Sequence, residues 1–232
     1  MVAPDARLWR GGNRVNAPTP IRDAATVILW RAARSGPEVL MGQRGAGAAF
    51  MPSKFVFPGG AVDAADAAVA LADPLGPDCA RRLTAPGAPA PATLAATAIR
   101  ETWEETGLAL GRAGRGPAGC GRGGEGLAPS AAGLRFVFRA ITPPGRPRRF
   151  DARFFLADVA EIAGDPEDFS RATDELTHLR WVPIAAAREL DLPFITEVVL
   201  AEVARLGPGE TPPGGVPFFD NSGPVAAFRR IV

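Results

Sequence analysis

Apolar residues along the chain fall into short runs of two kinds. Residues 24–31 (AATVILWR) and 38–44 (EVLMGQR) are rich in strand formers and are separated by Ser35-Gly36-Pro37, a pattern that predicts two paired strands. Residues 54–57 (KFVF) predict a further short strand. It stops at Pro58-Gly59-Gly60, where glycine permits a sharp turn and close approaches that a side chain forbids. Residues 134–141 (LRFVFRAI) and 150–159 (FDARFFLADV) predict a hairpin joined across Pro143-Pro144-Gly145. Residues 178–183 (HLRWVP) read as one more strand, with helical patterns following at 184–190 and 194–206.

The clearest helix covers residues 92–106 (ATLAATAIRETWEET), with Pro91 suited to the first turn and Gly107 placed as the C-terminal cap. Residues 61–91 are alanine-rich and broken by five prolines, which leaves room for one or two short helices in an insertion. Residues 111–126 hold eight glycines in sixteen positions, so ordering them would go uncompensated, and a flexible loop is expected. No repeat of fixed period is present, which argues against a solenoid or propeller. At 232 residues one hydrophobic core suffices. The expected organisation is a single domain over residues 20–206, with insertions at about 61–91 and 111–133, and a proline- and glycine-rich extension, 207–232, packed on its surface.

Composition narrows the classes of function. Hydrophobic residues make up 47% and charged residues 22%, ordinary globular values. A formal charge of +1 gives no general attraction to nucleic acid or to an anionic membrane. Lys54 is the sole lysine among 26 basic residues. Cys79 and Cys120 match no metal-ligand spacing and read as two free thiols. No run of about 18 apolar residues is present. Neither terminus carries a recognisable targeting signal, so a cytoplasmic protein with a small-molecule partner is expected.

Glu101, Glu104 and Glu105 lie three and four residues apart on the predicted helix and share one face at 100° per residue. Like charges at that spacing destabilise an isolated helix, so either solvent screens them or a cation sits between them. Taken alone, three acids within five residues read as a solvated face. The chemical alternative is a site for Mg²⁺ or Mn²⁺, which favour carboxylate oxygens, water and substrate phosphate. Arg100, four residues before Glu104, can orient and partly neutralise a carboxylate of the cluster.

The stretch Arg100-Glu101-Thr102-Trp103-Glu104-Glu105-Thr106-Gly107-Leu108 resembles the second half of the signature of the Nudix hydrolases. That signature runs glycine, five residues, glutamate, seven residues, then Arg-Glu-hydrophobe-any-Glu-Glu-any-Gly-hydrophobe. Thr102 departs from it where an aliphatic residue is usual. Phe57-Pro58-Gly59-Gly60 supplies the opening glycine, but 31 residues separate Gly60 from Ala92, which stands where the first glutamate is expected. The long insertion, residues 39–63 and residues 149–156 together resemble the branch containing the peroxisomal coenzyme A and acyl-coenzyme A diphosphatases. The fuller coenzyme A motif of a related branch is not reproduced, since Ala49 and Ser53 stand where its arginine and glycine would be.

The resemblance implies an α/β fold, an α/β/α sandwich on a mixed β-sheet with a loop-helix-loop catalytic motif. It also implies an enzyme that hydrolyses the pyrophosphate bond of a nucleoside diphosphate linked to another moiety, with coenzyme A or an acyl-coenzyme A as first choice. A general nucleotide-sugar or dinucleotide pyrophosphatase is the alternative. A ligand-binding module without turnover is the alternative of another class. Arg100, Glu101, Glu104 and Glu105 are the catalytic candidates; the three glutamates and Gly60 would hold Mg²⁺ or Mn²⁺; Gly59, Arg148 and Arg149 would contact substrate. Arg146 joins that arginine group, which reads equally as a solvated hairpin tip. A general base would be Glu104, or else Asp174 or Glu175, which read also as an ordinary polar loop. His178, Trp103, Phe154, Phe155 and Trp181 are assigned structural places.

Overall fold

The computed structural model describes residues 19–113, 126–207, 210–223 and 225–232. The chain opens with the predicted hairpin of β1 (Ile21–Ala33) and β2 (Gly36–Arg44), turning at Gly36, whose φ of 109° suits glycine. Two short strands follow, β3 (Phe55–Val56) and β4 (Gly59–Ala61), then a 3₁₀ turn (Ala64–Ala68) and helices α1 (Pro77–Leu83) and α2 (Pro91–Thr106). Beyond them come β5 (Ala109–Ala113), β6 (Leu127–Pro129), β7 (Arg135–Ile141) and β8 (Arg149–Asp158). The remainder comprises β9 (Ile162–Ala163), β10 (Leu176–Pro183), α3 (Phe194–Val203), β11 (Val216–Asp220) and β12 (Ala227–Ile231).

The main sheet runs β10-β2-β1-β8-β7-β11-β12, with β3 added on β2 and β4 on β1; β6-β5-β9 form a small second sheet. It is mixed, since β1 runs parallel to β8 and β7 to β11 while the other pairs are antiparallel. Strand alternation divides the core into two layers. Ala25, Val27 and Leu29 of β1 join Phe155 of β8 under the helices, against Leu94, Ala95 and Ala98 of α2 and Cys79 and Leu83 of α1. Ile28, Met41, Phe138, Phe154 and Leu156 lie in the other layer with Val199, Leu200 and Val203 of α3. The result is the expected α/β/α sandwich. Each such buried Phe, Leu or Ile contributes about 1.5–3 kcal/mol by leaving water. Among the described residues no helix is long and apolar enough to cross a membrane.

Helix α2 follows its predicted bounds within one residue. Pro91 occupies its first turn, and Gly107 caps it at φ 75°, its N–H donating to the Trp103 carbonyl at 2.8 Å. Thr102, where the resemblance calls for an aliphatic residue, is fully buried and its hydroxyl donates to the Ala98 carbonyl at 2.8 Å. That internal bond leaves its methyl group to serve as the hydrophobe.

Several expectations change. Within the glycine-rich stretch, residues 111–113 belong to β5, and residues 114–125, including Cys120, lie outside the described residues. The helical pattern at 184–190 yields only a 3₁₀ turn, Ala187–Glu189, ahead of Pro193, which marks the start of α3. Residues 207–232 do not simply lie on the surface: β11 pairs with β7 and β12 closes the edge, so this segment enlarges the main sheet. Pro217 sits opposite Arg230 and Phe218 opposite Arg229, which shows that glycine and proline on either side did not prevent strand pairing. Residues 61–91 do hold one short helix and a 3₁₀ turn, and Leu75, Cys79 and Leu83 among them are core residues.

Candidate active site

Helix α2 places its acidic face beside the glycine turn. Gly59 N–H donates to Glu105 Oε2 at 2.7 Å, linking the end of the Phe57-Pro58-Gly59-Gly60 bend to the helix. A Cβ on Gly60 would stand inside the Glu101 carboxylate, far closer than the 3.0 Å that real Cβ atoms keep. A Cβ on Gly59 would meet the backbone of Ala25 and Thr26 instead. The two glycines are therefore required by close approach, one to a carboxylate and one to β1. The three glutamates differ in their surroundings: Glu105 is 1% exposed, while the side chains of Glu101 and Glu104 are 13% and 32% exposed.

Burial sets the electrostatics. It pushes the Glu105 carboxyl up to about 8 against the opposing hydrogen bond from Gly59, with the charge of Glu101 adding to the rise and Arg44 countering it. Glu101 is raised for the same reason, partly offset by the adjacent Arg100. Glu175, at the mouth of β10, adds negative charge felt by both. At this end of the pocket carboxylates crowd one another, and Arg100 and Arg44 are the cations that act on them.

Arg100 is the hub. Its Nη1 donates to Glu101 Oε1 at 2.7 Å and to Glu104 Oε2 at 2.9 Å. Its Nε and Nη2 grip Asp66 Oδ1 and Oδ2 at 2.7 and 2.9 Å, and Nη2 also reaches the Ala61 carbonyl. Asp66 is 2% exposed and further accepts from the Thr97 hydroxyl at 2.7 Å and the Asp63 N–H at 2.9 Å. Burial alone would raise its pKa, but the Arg100 fork and these donors hold it below the usual carboxylate range.

Asp66 corrects the reading of the signature. Counting back from Arg100 leads to Ala92, which is exposed on the first turn of α2. Counting forward from Gly60 across five residues leads to Asp66, a shorter carboxylate in the expected place. The insertion thus falls after the first acid, between Asp66 and Arg100, and the fold closes the gap by bringing the two side chains together.

The three glutamates, Arg100 and the Gly59-Gly60 turn line one large cavity of about 1190 Å³. Of the sequence candidates, Gly59, Gly60, Arg100, Glu101, Glu104, Glu105, Glu175, Arg146 and Arg148 border it. Arg149 does not serve as expected: it is 7% exposed and donates to the backbone carbonyls of Thr142 and Asn221, tying the hairpin end to the C-terminal strands. Asp174 is not among the lining residues, and His178 is exposed in a bulge of β10. Trp103 turns away beneath the Arg171 guanidinium, 5.8 Å from its ring. Phe155 and Trp181 are core, whereas Phe154 is both buried and part of the cavity wall.

Arg44, at the end of β2, was not singled out by sequence. It borders the same cavity, and its buried Nε has no hydrogen-bond partner among the described residues. A lone arginine closing a strand carries no signal in a sequence; only the orphaned donor beside the glutamates marks it.

No group of three or more His, Cys, Asp and Glu side chains is poised to grip a metal among the described residues. The reason is visible: Arg100 stands between Glu101 and Glu104, and Glu105 is turned to Gly59. The donor set itself suits a hard divalent cation: Glu101, Glu104 and Glu105 all border the cavity, and the Glu101 carboxylate packs against the side-chain-free Gly60.

No protein-family model matches the chain. A crystal structure of a NUDIX hydrolase from Alicyclobacillus acidocaldarius is 32% identical, covering 81% of this chain and 93% of that one, with a TM-score of 0.59. A MutT protein from Methanosarcina mazei is 16% identical, covering 81% and 95%, with a TM-score of 0.48. A C. elegans Ap4A hydrolase binary complex is 15% identical, covering 79% and 96%, with a TM-score of 0.47.

Proposed function

The chain belongs to the Nudix hydrolase family and is an enzyme acting on phosphoanhydrides; from that premise we propose that it cleaves the diphosphate of coenzyme A or an acyl-coenzyme A with the α2 carboxylates as its metal centre. The observation that carries the site assignment is the convergence of Glu101 and Glu105 on the side-chain-free Gly59-Gly60 turn, at the floor of a cavity that also holds Arg44. A bound Mg²⁺ or Mn²⁺ would offset the negative charge growing on the anhydride oxygens and would acidify the attacking water.

The chain's own residues do the rest. Glu101, Glu105 and the Gly60 carbonyl would hold the cation, with Glu104 completing the set, and Arg100 would release Glu101 or Glu104 to it while keeping its grip on Asp66. Water attacks one phosphorus, the bridging P–O bond breaks, and its oxygen leaves with the other phosphate. Glu104 or Glu175, the acids most open to the cavity, takes the proton of the water. The Arg44 Nε donates to a nonbridging oxygen, while Arg148 and Arg146 at the rim hold more remote phosphate. Cavity size and the basic rim of Arg22, Lys54, Arg146 and Arg148 favour a large polyanionic conjugate over a simple nucleotide sugar. The intact acid set favours turnover over a binding-only module.

A product-resolved screen of coenzyme A esters, dinucleotides and nucleotide sugars with Mn²⁺ tests this reading. Release of 3′,5′-phosphorylated adenosine from coenzyme A is the expected result; cleavage confined to dinucleotides or sugars removes the substrate assignment. The two glycines offer a second test. Gly60→Ala displaces only the flexible Glu101 carboxylate, so kcat/KM falls about 100-fold with little change in Tm. Gly59→Ala strikes β1 backbone and lowers Tm as well. Equal behaviour of the two variants, read by kinetics and thermal melts, contradicts the assignment.

A further inference from the structure

Strand β12 ends the main sheet, and its outer edge has no strand beside it among the described residues. Which backbone groups face that edge follows from Pro217. It sits opposite Arg230 and has no N–H, so these two cannot be a hydrogen-bonded pair of the ladder. In the regular alternation of β11 and β12 the hydrogen-bonded pairs are therefore Val216 with Ile231, Phe218 with Arg229 and Asp220 with Ala227. Phe228 and Arg230 turn their N–H and C=O groups the other way, to the open edge, where no described residue bonds to them.

Exposed apolar side chains gather here. Phe228 packs against Phe138 and Phe219 yet is 55% exposed, and Val225, just before the strand, is 78% exposed. Phe194, also exposed, joins the same patch through Phe219, 6.3 Å away. Such an edge is a template for another strand unless charges or a covering segment block it. The two arginines of β12 are drawn back from it: Arg229 ion-pairs with Asp220 at 3.4 Å and Arg230 donates to the Gly215 carbonyl at 3.0 Å, both on the β11 side.

Charge selects how a second β12 can lie against the first. A two-fold axis between antiparallel strands sets one residue opposite its own twin. An axis at Arg229 or Arg230 sets guanidinium against guanidinium, and like charges directly opposite are destabilising. An axis at Ala227 brings Pro224, which has no N–H to give, opposite Arg230. An axis at Phe228 opposes Phe228 to its twin as a hydrogen-bonded pair, Ala227 to Arg229 and Ala226 to Arg230, with no like charges facing. Residues 1–18 of the chain itself suit this edge less well, because they hold Arg7, Arg10 and Arg14 against Asp5 alone.

We propose that β12 pairs antiparallel with β12 of a second copy of this chain, about a two-fold axis at Phe228, so that two main sheets join into one. The pairing satisfies the outward N–H and C=O groups of Phe228 and Arg230 and covers the Phe228 ring with its twin. It does not depend on which diphosphate the cavity takes.

Sedimentation velocity over a concentration series tests this on the whole chain. Wild type is expected at twice the mass of one chain, dissociating on dilution. Phe228→Lys and Phe228→Glu each weaken association by about 10-fold or more, whereas their equimolar mixture associates about 5- to 10-fold more tightly than either alone, because opposite charges then meet at the axis. Phe228 is mostly exposed, so both variants fold, which far-UV circular dichroism checks. Cross-linking reads the alignment. With Cys120→Ser in place and Cys79 buried, Phe228→Cys oxidised by copper phenanthroline gives a covalent dimer, since the Cα atoms of a hydrogen-bonded pair stand about 5.5 Å apart. Arg230→Cys does not, because its twin lies about 14 Å away along the strand. A wild type that is monomeric at every concentration overturns the proposal, and slow amide exchange at Phe228 and Arg230 in that monomer assigns the edge to a segment of the same chain. A dimer that Phe228→Lys leaves intact, a mixture no tighter than its components, or faster cross-linking through Arg230→Cys than through Phe228→Cys overturns it equally.

Discussion

Glu105→Gln lowers hydrolysis by about two to four orders of magnitude while leaving a metal-free protein that withstands heat better at pH 8 than the wild type. The first effect follows from its place between the Gly59 N–H and the carboxylate cluster. The second follows from its burial, which raises the folded-state pKa from 4.5 to about 8. Between those values the folded protein keeps a proton that the unfolded chain has lost, so stability falls as pH rises through this window and levels off above it. At 1% exposure there is little solvent screening, and the penalty amounts to a few kcal/mol. Glutamine has no proton to lose and removes the slope. Mg²⁺ or Mn²⁺ removes it in wild type by replacing the proton, so the metal-induced rise in Tm is larger at pH 8 than at pH 5. Thermal melts at the two pH values with and without chelator, beside initial rates in Mn²⁺, check both halves. Wild-type turnover in Glu105→Gln, or full activity in chelator, eliminates the proposed metal centre.

Asp66→Ala is expected to cost about 3–5 kcal/mol, because it leaves the half of the Arg100 guanidinium that faces Asp66 without its partner. For a chain of this size that is a fall in Tm of roughly 6–20 °C. Activity falls with it, since the freed guanidinium turns wholly to Glu101 and Glu104 and competes with the cation for them. The wild-type contribution has a defined pH window: Asp66 is held below its ordinary value of 3.8, so its stabilisation is complete above that pH and is lost as pH falls further. Adding Ala92→Glu to Asp66→Ala restores nothing, because position 92 is exposed on the first turn of α2. Rescue by that second change, in melts or in rates, contradicts the assignment of the first acid to Asp66.

The catalytic helix was legible because its information is local. Spacing alone puts three acids and Arg100 on one face of α2, and Pro91 and Gly107 mark its limits through backbone preferences that need no partner. The strands of the β1–β2 and β7–β8 hairpins were legible for the same reason, since alternation and an intervening turn are properties of contiguous residues. Asp66 was within reach of counting but was missed by counting from Arg100, the wrong side of the insertion. The phosphate clamp assigned to adjacent arginines separated at a strand boundary: Arg148 lies in the bend before β8 and borders the cavity, while Arg149, the first residue of β8, is buried.

By itself the sequence determined the period of each element, the acidic face of α2 and the resemblance to Nudix hydrolases, because each is written in residues within about one turn or one hairpin of one another. Only the tertiary structure decided that Asp66 meets Arg100 across 34 positions, that Arg44 ends at the carboxylates with an orphaned donor, and that residues 216–231 extend the main sheet and bring Phe219 to the cavity wall. Those pairings depend on which strands become neighbours, and strand order is settled by the burial of whole faces against α1, α2 and α3, a balance that no single segment of the chain contains.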